Sequence, residues 1–143
     1  MTVAALDLGT RRIGVAIGDP EGRFVHPLTI IERRSLSDDI ESIRSILVSR
    51  EVDRVIVGLP LNMDGTEGKM ARSARSFANR LEEATGVAVE LQDERLSSFE
   101  ARERMGVMPA GRGKKKRQID AIAAAVILET WFDAKKRRLP PSG

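Results

Sequence analysis

Three residues, Thr10-Arg11-Arg12, separate the apolar run Val3–Gly9 from the apolar run Ile13–Gly18. That spacing constrains the fold more than anything else in the chain. Parallel neighbours need a crossover of a dozen or more residues, so two strands this close must pair antiparallel. Asp19-Pro20-Glu21-Gly22 is a second turn, and Phe24–Ile31 follows it as a third strand. The first part of the chain is therefore a three-stranded meander.

The pattern then changes period. Ser35-Leu36-Ser37-Asp38 reads as a capped helix start with acids in its first turn, and Leu36, Ile40, Ile43 and Leu47 repeat at helical spacing. Asp53–Leu59 is a short, almost continuous apolar run that suits a central parallel strand. Gly58 to Gly68 is a loop. Met70, Ala74, Phe77, Ala78 and Leu81 mark a second helix, ended at Thr85-Gly86. Val87, Val89 and Leu91 alternate as a fifth strand. A short helix is expected from Ser98 to about Met105, then a Gly-rich connector from Gly106 to Gly113. A last helix is expected from about Lys116 to Phe132, apolar nearly all round over Ile119–Leu128 and hence buried. The order β-β-β-α-β-α-β-α predicts an α/β fold: a mixed five-stranded sheet, its first three strands an antiparallel meander, flanked by helices. With 143 residues the chain fits one domain, expected over 1–134, with a basic, Pro-containing flexible tail over 135–143.

Asp7 sits inside the first apolar run, where an unpaired carboxylate costs several kcal/mol. Either something neutralises it or it has a task; a strand-end Asp capping a turn is the plain alternative. Glu94, just past the fifth strand, stands where open α/β sheets bind ligands, or else in a solvated loop paired with Arg95. Asp120 is expected in the first turn of the last helix, where it complements the dipole or faces a site. If the topology brings Asp7, Glu94 and Asp120 to one end of the sheet, they repel unless a cation sits among them. All-oxygen ligands favour Mg²⁺ or Mn²⁺ over zinc or copper, and such a site supports in-line phosphodiester hydrolysis.

Absences narrow the chemistry further. There is no Cys and no Tyr, and His26 is the single His. Thiolate, tyrosine-nucleophile and paired-imidazole mechanisms are excluded. Aromatics at 3% argue against a stacking platform for single strands. The net charge is only +3, but Lys114-Lys115-Lys116-Arg117 and Lys135–Arg138 are dense basic blocks, and local density is what attracts phosphate. No apolar stretch reaches the roughly 18 residues of a membrane span, and no signal peptide follows Met1, so a cytoplasmic protein is expected. His26, Trp131 and Phe132 read as structural.

Four segments in order match one family. Asp7-Leu8-Gly9-Thr10-Arg11-Arg12-Ile13-Gly14-Val15-Ala16, Gly58-Leu59-Pro60-Leu61-Asn62-Met63-Asp64-Gly65-Thr66, Asp93-Glu94-Arg95-Leu96-Ser97, and Asp120 with its Ala-rich helix resemble the motifs of the YqgF (RuvX) family. The resemblance implies an RNase H-like fold and a metal-dependent nuclease, described in the family both as a Holliday-junction resolvase and as acting in 5′-end maturation of pre-16S rRNA. By motif it implies Asp7, Glu94 and Asp120 as catalytic and metal-binding acids. Related RuvC-type resolvases carry a further acid one turn after the last Asp; here that residue is Ala123. Nucleic acid, structured RNA or branched DNA, is the expected partner of a monomer or homodimer, with Arg11, Arg12, Asn62, Thr66, Lys114, Lys115, Lys116 and Arg117 as expected contacts. Composition alone reads the Gly58–Gly68 loop as a turn built by Asp64-Gly65; the motif match moves Asn62 and Thr66 toward substrate binding. Two rivals come from other classes: a non-catalytic RNA-binding ribosome assembly factor, and an ATPase fragment of the actin and sugar-kinase type, whose phosphate loop Asp7-Leu8-Gly9-Thr10 also resembles.

Overall fold

The computed structural model describes residues 2–94 and 113–138, with side chains in the second segment from 120 to 136. The expected helix from Ser98, the connector from Gly106 and the tail from Leu139 lie outside the described residues, as do the side chains of Lys114, Lys115, Lys116 and Arg117.

The three runs around the short turns form β1 (Thr2–Leu8), β2 (Arg12–Gly18) and β3 (Val25–Glu32). They pair as the expected meander, β1 with β2 and β2 with β3, both antiparallel. Helix α1 (Leu36–Ser49) leads to β4 (Val52–Leu59), and α2 (Lys69–Thr85) leads to β5 (Ala88–Asp93). Both crossovers are long enough for parallel pairing, and β1–β4 and β4–β5 are parallel. The sheet order is β3-β2-β1-β4-β5, so β1 is central.

Helix ends follow local chemistry. Ser35 caps α1, its Oγ accepting from the Asp38 amide at 3.1 Å. Gly86 ends α2 in the left-handed conformation, φ 73°, which lacks a Cβ penalty only for glycine.

Strand alternation divides the core into two layers. Ala4 and Leu6 of β1, with Val55 and Val57 of β4, face α1 and α2 and join Ile43, Leu47, Phe77 and Leu81. Val3, Ala5 and Ile56 face the other way and meet Ile127, Leu128, Trp131 and Phe132 of the last helix, α3 (Gly113–Arg138). Trp131 and Phe132 pack edge to face with centroids 5.0 Å apart, a packing role as expected. Ala124 and Ala125 lie against Ala16 of β2, small residues that let the helix approach the sheet. Helix α3 continues through Lys135 to Arg138, beyond the expected domain limit at 134. It also begins at Gly113, so Asp120 is its eighth residue rather than a first-turn residue. Dipole complementation fades within the first turn and does not account for Asp120.

Candidate nuclease site

Asp7 follows Val3 and Ala5 in alternation, so its side chain belongs to the α3 face of the sheet. Its partner across β2 is Gly14. On the other side β4 runs parallel, with Leu6 beside Val57, and Gly58 is the next residue along. Asp7 therefore has a glycine on each flank, and each glycine admits another acidic residue.

At Gly14 the neighbour is backbone. A Cβ there would lie 2.2 Å from the Asp120 carbonyl oxygen and 2.6 Å from its carbon. Only a bare strand position lets α3 press this close, and the contact puts Asp120 on the strand next to Asp7. At Gly58 the neighbour is a side chain: a Cβ would lie 2.3 Å from Glu94 Oε2 and 2.6 Å from Ile127 Cδ1. Glu94 itself is held by its amide, which donates to the Leu59 carbonyl at 3.2 Å. The two strand glycines were not singled out in the sequence, although an isolated Gly inside a strand is the recognised mark of close approach.

The carboxyls are electrostatically linked. Burial, then the Asp120 charge, pushes Asp7 up to about 6, with a hydrogen bond from Glu94 acting in the opposite sense. Burial, then the Asp7 charge, then the hydrogen bond to Asp7, pushes Glu94 up to about 8, with Asp93 adding to the rise. The signs describe one arrangement: near neutrality Glu94 holds the proton and donates it to the ionised Asp7. Asp120 reaches Asp7 through its charge. Among the described residues no group of three acidic or imidazole side chains is already gathered as a metal cage; two acids touch, and the third stands beside them.

Arg12 counterbalances Asp120. Its Nη1 is 3.9 Å from Asp120 Oδ2 and its Nε is 3.6 Å from Glu32 Oε1. Nε is buried without a hydrogen bond. Of the two turn arginines, Arg12 faces the acids and Arg11 is exposed to solvent.

Asn62 and Thr66 lie in the expected loop but are turned on each other. Asn62 Nδ2 donates to Thr66 Oγ1 at 2.9 Å, Thr66 Oγ1 donates to Asp64 Oδ1 at 2.6 Å, and the Thr66 amide donates to the same oxygen at 3.0 Å. With Gly65 at φ 87°, these bonds close the turn at Asp64-Gly65, where composition placed it. His26 lies exposed on edge strand β3 opposite Ile17, at the strand end away from the acids.

A further pair braces the site. Asp39 is the buried charged residue of the described core, 3% exposed. It accepts from Arg33 Nε at 3.1 Å and from the Arg34 amide at 3.0 Å. Arg33 Nη1 donates to the Gly9 carbonyl at 2.8 Å, and the Arg33 amide to the Arg11 carbonyl at 2.9 Å. The Arg33 guanidinium lies 5.6 Å over the Phe77 ring of α2. One arginine thus ties the turn after Asp7 to both helices of the opposite face. The sequence pattern shows only acids in the first turn of α1 and carries no signal for Arg33 or for this pair.

Comparisons with known proteins fit this architecture. A family model described as RuvX, Holliday junction resolvase, matches residues 1–134. A protein of Anaeromyxobacter sp. (strain K) named "Putative pre-16S rRNA nuclease" is 49% identical over 140 residues, 98% of this chain and 100% of that protein. A protein of the same name from Pectobacterium carotovorum subsp. carotovorum (strain PC1) is 43% identical, covering 94% and 96% of the two chains. The solved structure of T. thermophilus RuvC in complex with a Holliday junction substrate superposes with TM-score 0.60 at 17% identity, covering 95% of this chain and 96% of that one. The fowlpox virus Holliday junction resolvase superposes with TM-score 0.53 at 12% identity, covering 94% and 99%. At such identities the likeness is one of fold, and it confirms the RNase H-like architecture. From the length and level of the sequence match, the chain belongs to the RuvX family.

Proposed function

We propose that this protein is a divalent-metal-dependent endonuclease of the cytoplasm, cutting phosphodiester bonds in structured nucleic acid, with 5′-end processing of pre-16S rRNA as its task. The observation that carries the reading is the Asp7–Glu94 contact with Asp120 alongside, at the carboxyl end of the central strands. Two half-buried acids sharing a proton while a third repels them are a costly arrangement for structure alone. They become a favourable one when a hard cation replaces the proton, and their all-oxygen donor set fits Mg²⁺ or Mn²⁺. Asp7, Glu94 and Asp120 are the residues that would hold the ion, which supplies neutralisation of the phosphate and an activated water.

The chain's own residues have separate tasks. Asp7 is fixed by its strand and by the Arg33-anchored turn. Glu94, the proton donor to Asp7, would serve as a ligand in its ionised form. Asp120 is oriented by Arg12, and Arg11 is open to a substrate phosphate. Lys114, Lys115, Lys116 and Arg117 belong to the same proposed interface as a phosphate-attracting block. The names of the full-length relatives favour RNA; the RuvX description and the RuvC fold favour a four-way junction as the second reading.

Cleavage of a precursor 16S 5′ leader and of a four-way junction, each in Mg²⁺, Mn²⁺ and EDTA, tests both. The expected result is leader cleavage in metal, abolished by EDTA and by Asp7→Asn, Glu94→Gln or Asp120→Asn. Salt-sensitive RNA binding with no metal-dependent turnover would identify a non-catalytic assembly factor instead.

A further inference from the structure

Across the sheet edge from the acids lies a cleft of about 380 Å³, floored by Leu8, Gly9 and Thr10 and walled by the starts of α1 and α2. Leu8 faces the α1–α2 layer, so Gly9 is the crest between this cleft and the Asp7 side. The lining is of two kinds. Leu36 and Met70, 37% and 46% exposed, line it together with buried Phe77; they are two of the few large apolar side chains the described surface leaves open. Arg33, Arg34, Asp39 and Thr10 are the polar lining. Arg33 and Asp39 satisfy one another, so the lining charge left over is the exposed Arg34, whose guanidinium makes no ion pair among the described residues.

We propose that this cleft is a subsite for one unpaired nucleotide of the substrate strand, its base against Met70 and Leu36 and its phosphate on Arg34. The proposal rests on the reading of the protein as a nucleic-acid enzyme and adds a substrate class to it: a strand that is single-stranded beside the cut. An aliphatic wall with a single cation in the lining suits the face of a base and its phosphate without an aromatic stacking platform. A duplex keeps its bases stacked inside and offers the wall nothing. The floor is rigid, because Arg33 clamps the Gly9 carbonyl and lies over Phe77, so the subsite is formed before the strand arrives. Leu8 and Gly9, which line the cleft, directly follow Asp7 in the chain, so a nucleotide held there lies at the strand end that carries the acids.

Binding measured without cleavage tests this separately from the nuclease reading. A short fluorescein-labelled single-stranded RNA, with one abasic position walked along it, is titrated with the protein in EDTA and followed by anisotropy. At one position, or two adjacent ones, loss of the base weakens wild-type binding about five- to tenfold, the scale of burying a base face on aliphatic side chains. In Met70→Ala that same abasic change costs less than about twofold, because wall and base are one interaction. Arg34→Ala weakens every RNA alike and lowers the salt slope by about one. Met70 and Arg34 are both solvent-exposed, and circular dichroism establishes that the variants are folded. Absence of RNA binding, an abasic walk with no preferred position, or a preferred position that Met70→Ala leaves untouched overturns the subsite. A base-sensitive wild type that does not cut in metal overturns the nuclease reading and leaves the subsite standing.

Discussion

Replacing Asp7 by Asn should stabilise the metal-free protein, by an amount that grows as pH rises above about 4. The folded protein holds Asp7 near 6 against an ordinary 3.8, and Glu94 near 8 against 4.5. Both carboxyls bind protons more tightly folded than unfolded. Their contribution is fully present below about pH 4 and is lost as pH rises through 6 and then 8. Above that range both acids are ionised beside Asp120 and repel. A displacement from 3.8 to about 6 corresponds to about 3 kcal/mol for Asp7. That is an upper figure, because the two acids titrate together. Asn keeps the shape and an acceptor for the Glu94 proton but removes the charge. In EDTA at pH 9, Asp7→Asn should therefore melt up to roughly 10 °C above wild type, and at pH 4 the two should nearly coincide. Mg²⁺ or Mn²⁺ should raise the wild-type Tm and narrow the gap, since the ion binds the native acids. Scanning calorimetry at both pH values, with and without metal, reads all four quantities. A variant no more stable than wild type at pH 9 would refute the claim that these acids are crowded.

Gly58→Ala puts a methyl group where Glu94 and Ile127 now sit; a stability loss of about 1–3 kcal/mol by urea titration should accompany a much larger loss of cleavage, because Glu94 must swing out. Gly14→Ala meets the Asp120 backbone instead, which yields less readily than a side chain, so its urea midpoint should fall further than that of Gly58→Ala. Arg33→Ala strands the buried Asp39 charge and should cost about 3–5 kcal/mol; Arg33→Ala combined with Asp39→Asn should recover part of that in the same titration.

Much of this architecture was legible because it depends on spacing. Three residues between two apolar runs dictate a hairpin, and helices between the later strands dictate parallel pairing; both hold in the sheet. Asp7 was legible as a misfit, a charge where the pattern wanted an apolar residue, and Glu94 by its place just past the fifth strand, where α/β sheets bind ligands. The misplaced start of α3 had a local cause: Lys114 to Arg117 carries no apolar periodicity, so the pattern became visible only where burial begins, and Asp120 was assigned to the wrong turn. The Arg33–Asp39 brace was invisible for a deeper reason. Its members are six residues apart across a strand-to-helix junction, and no period links them; only the folded turn at Gly9 gives Arg33 its second partner. The glycines at 14 and 58 were visible as residues but not as contacts, since what they admit comes from elements far along the chain.

In the proposed nuclease, Asp7, Glu94 and Asp120 close on one hard cation. Anomalous scattering from a crystal soaked in Mn²⁺ addresses it directly. The expected result is a manganese peak bounded by oxygens of all three side chains at roughly 2.0–2.2 Å, with the Asp7–Glu94 hydrogen bond gone. Manganese bound elsewhere, or none bound and that hydrogen bond intact, would contradict it.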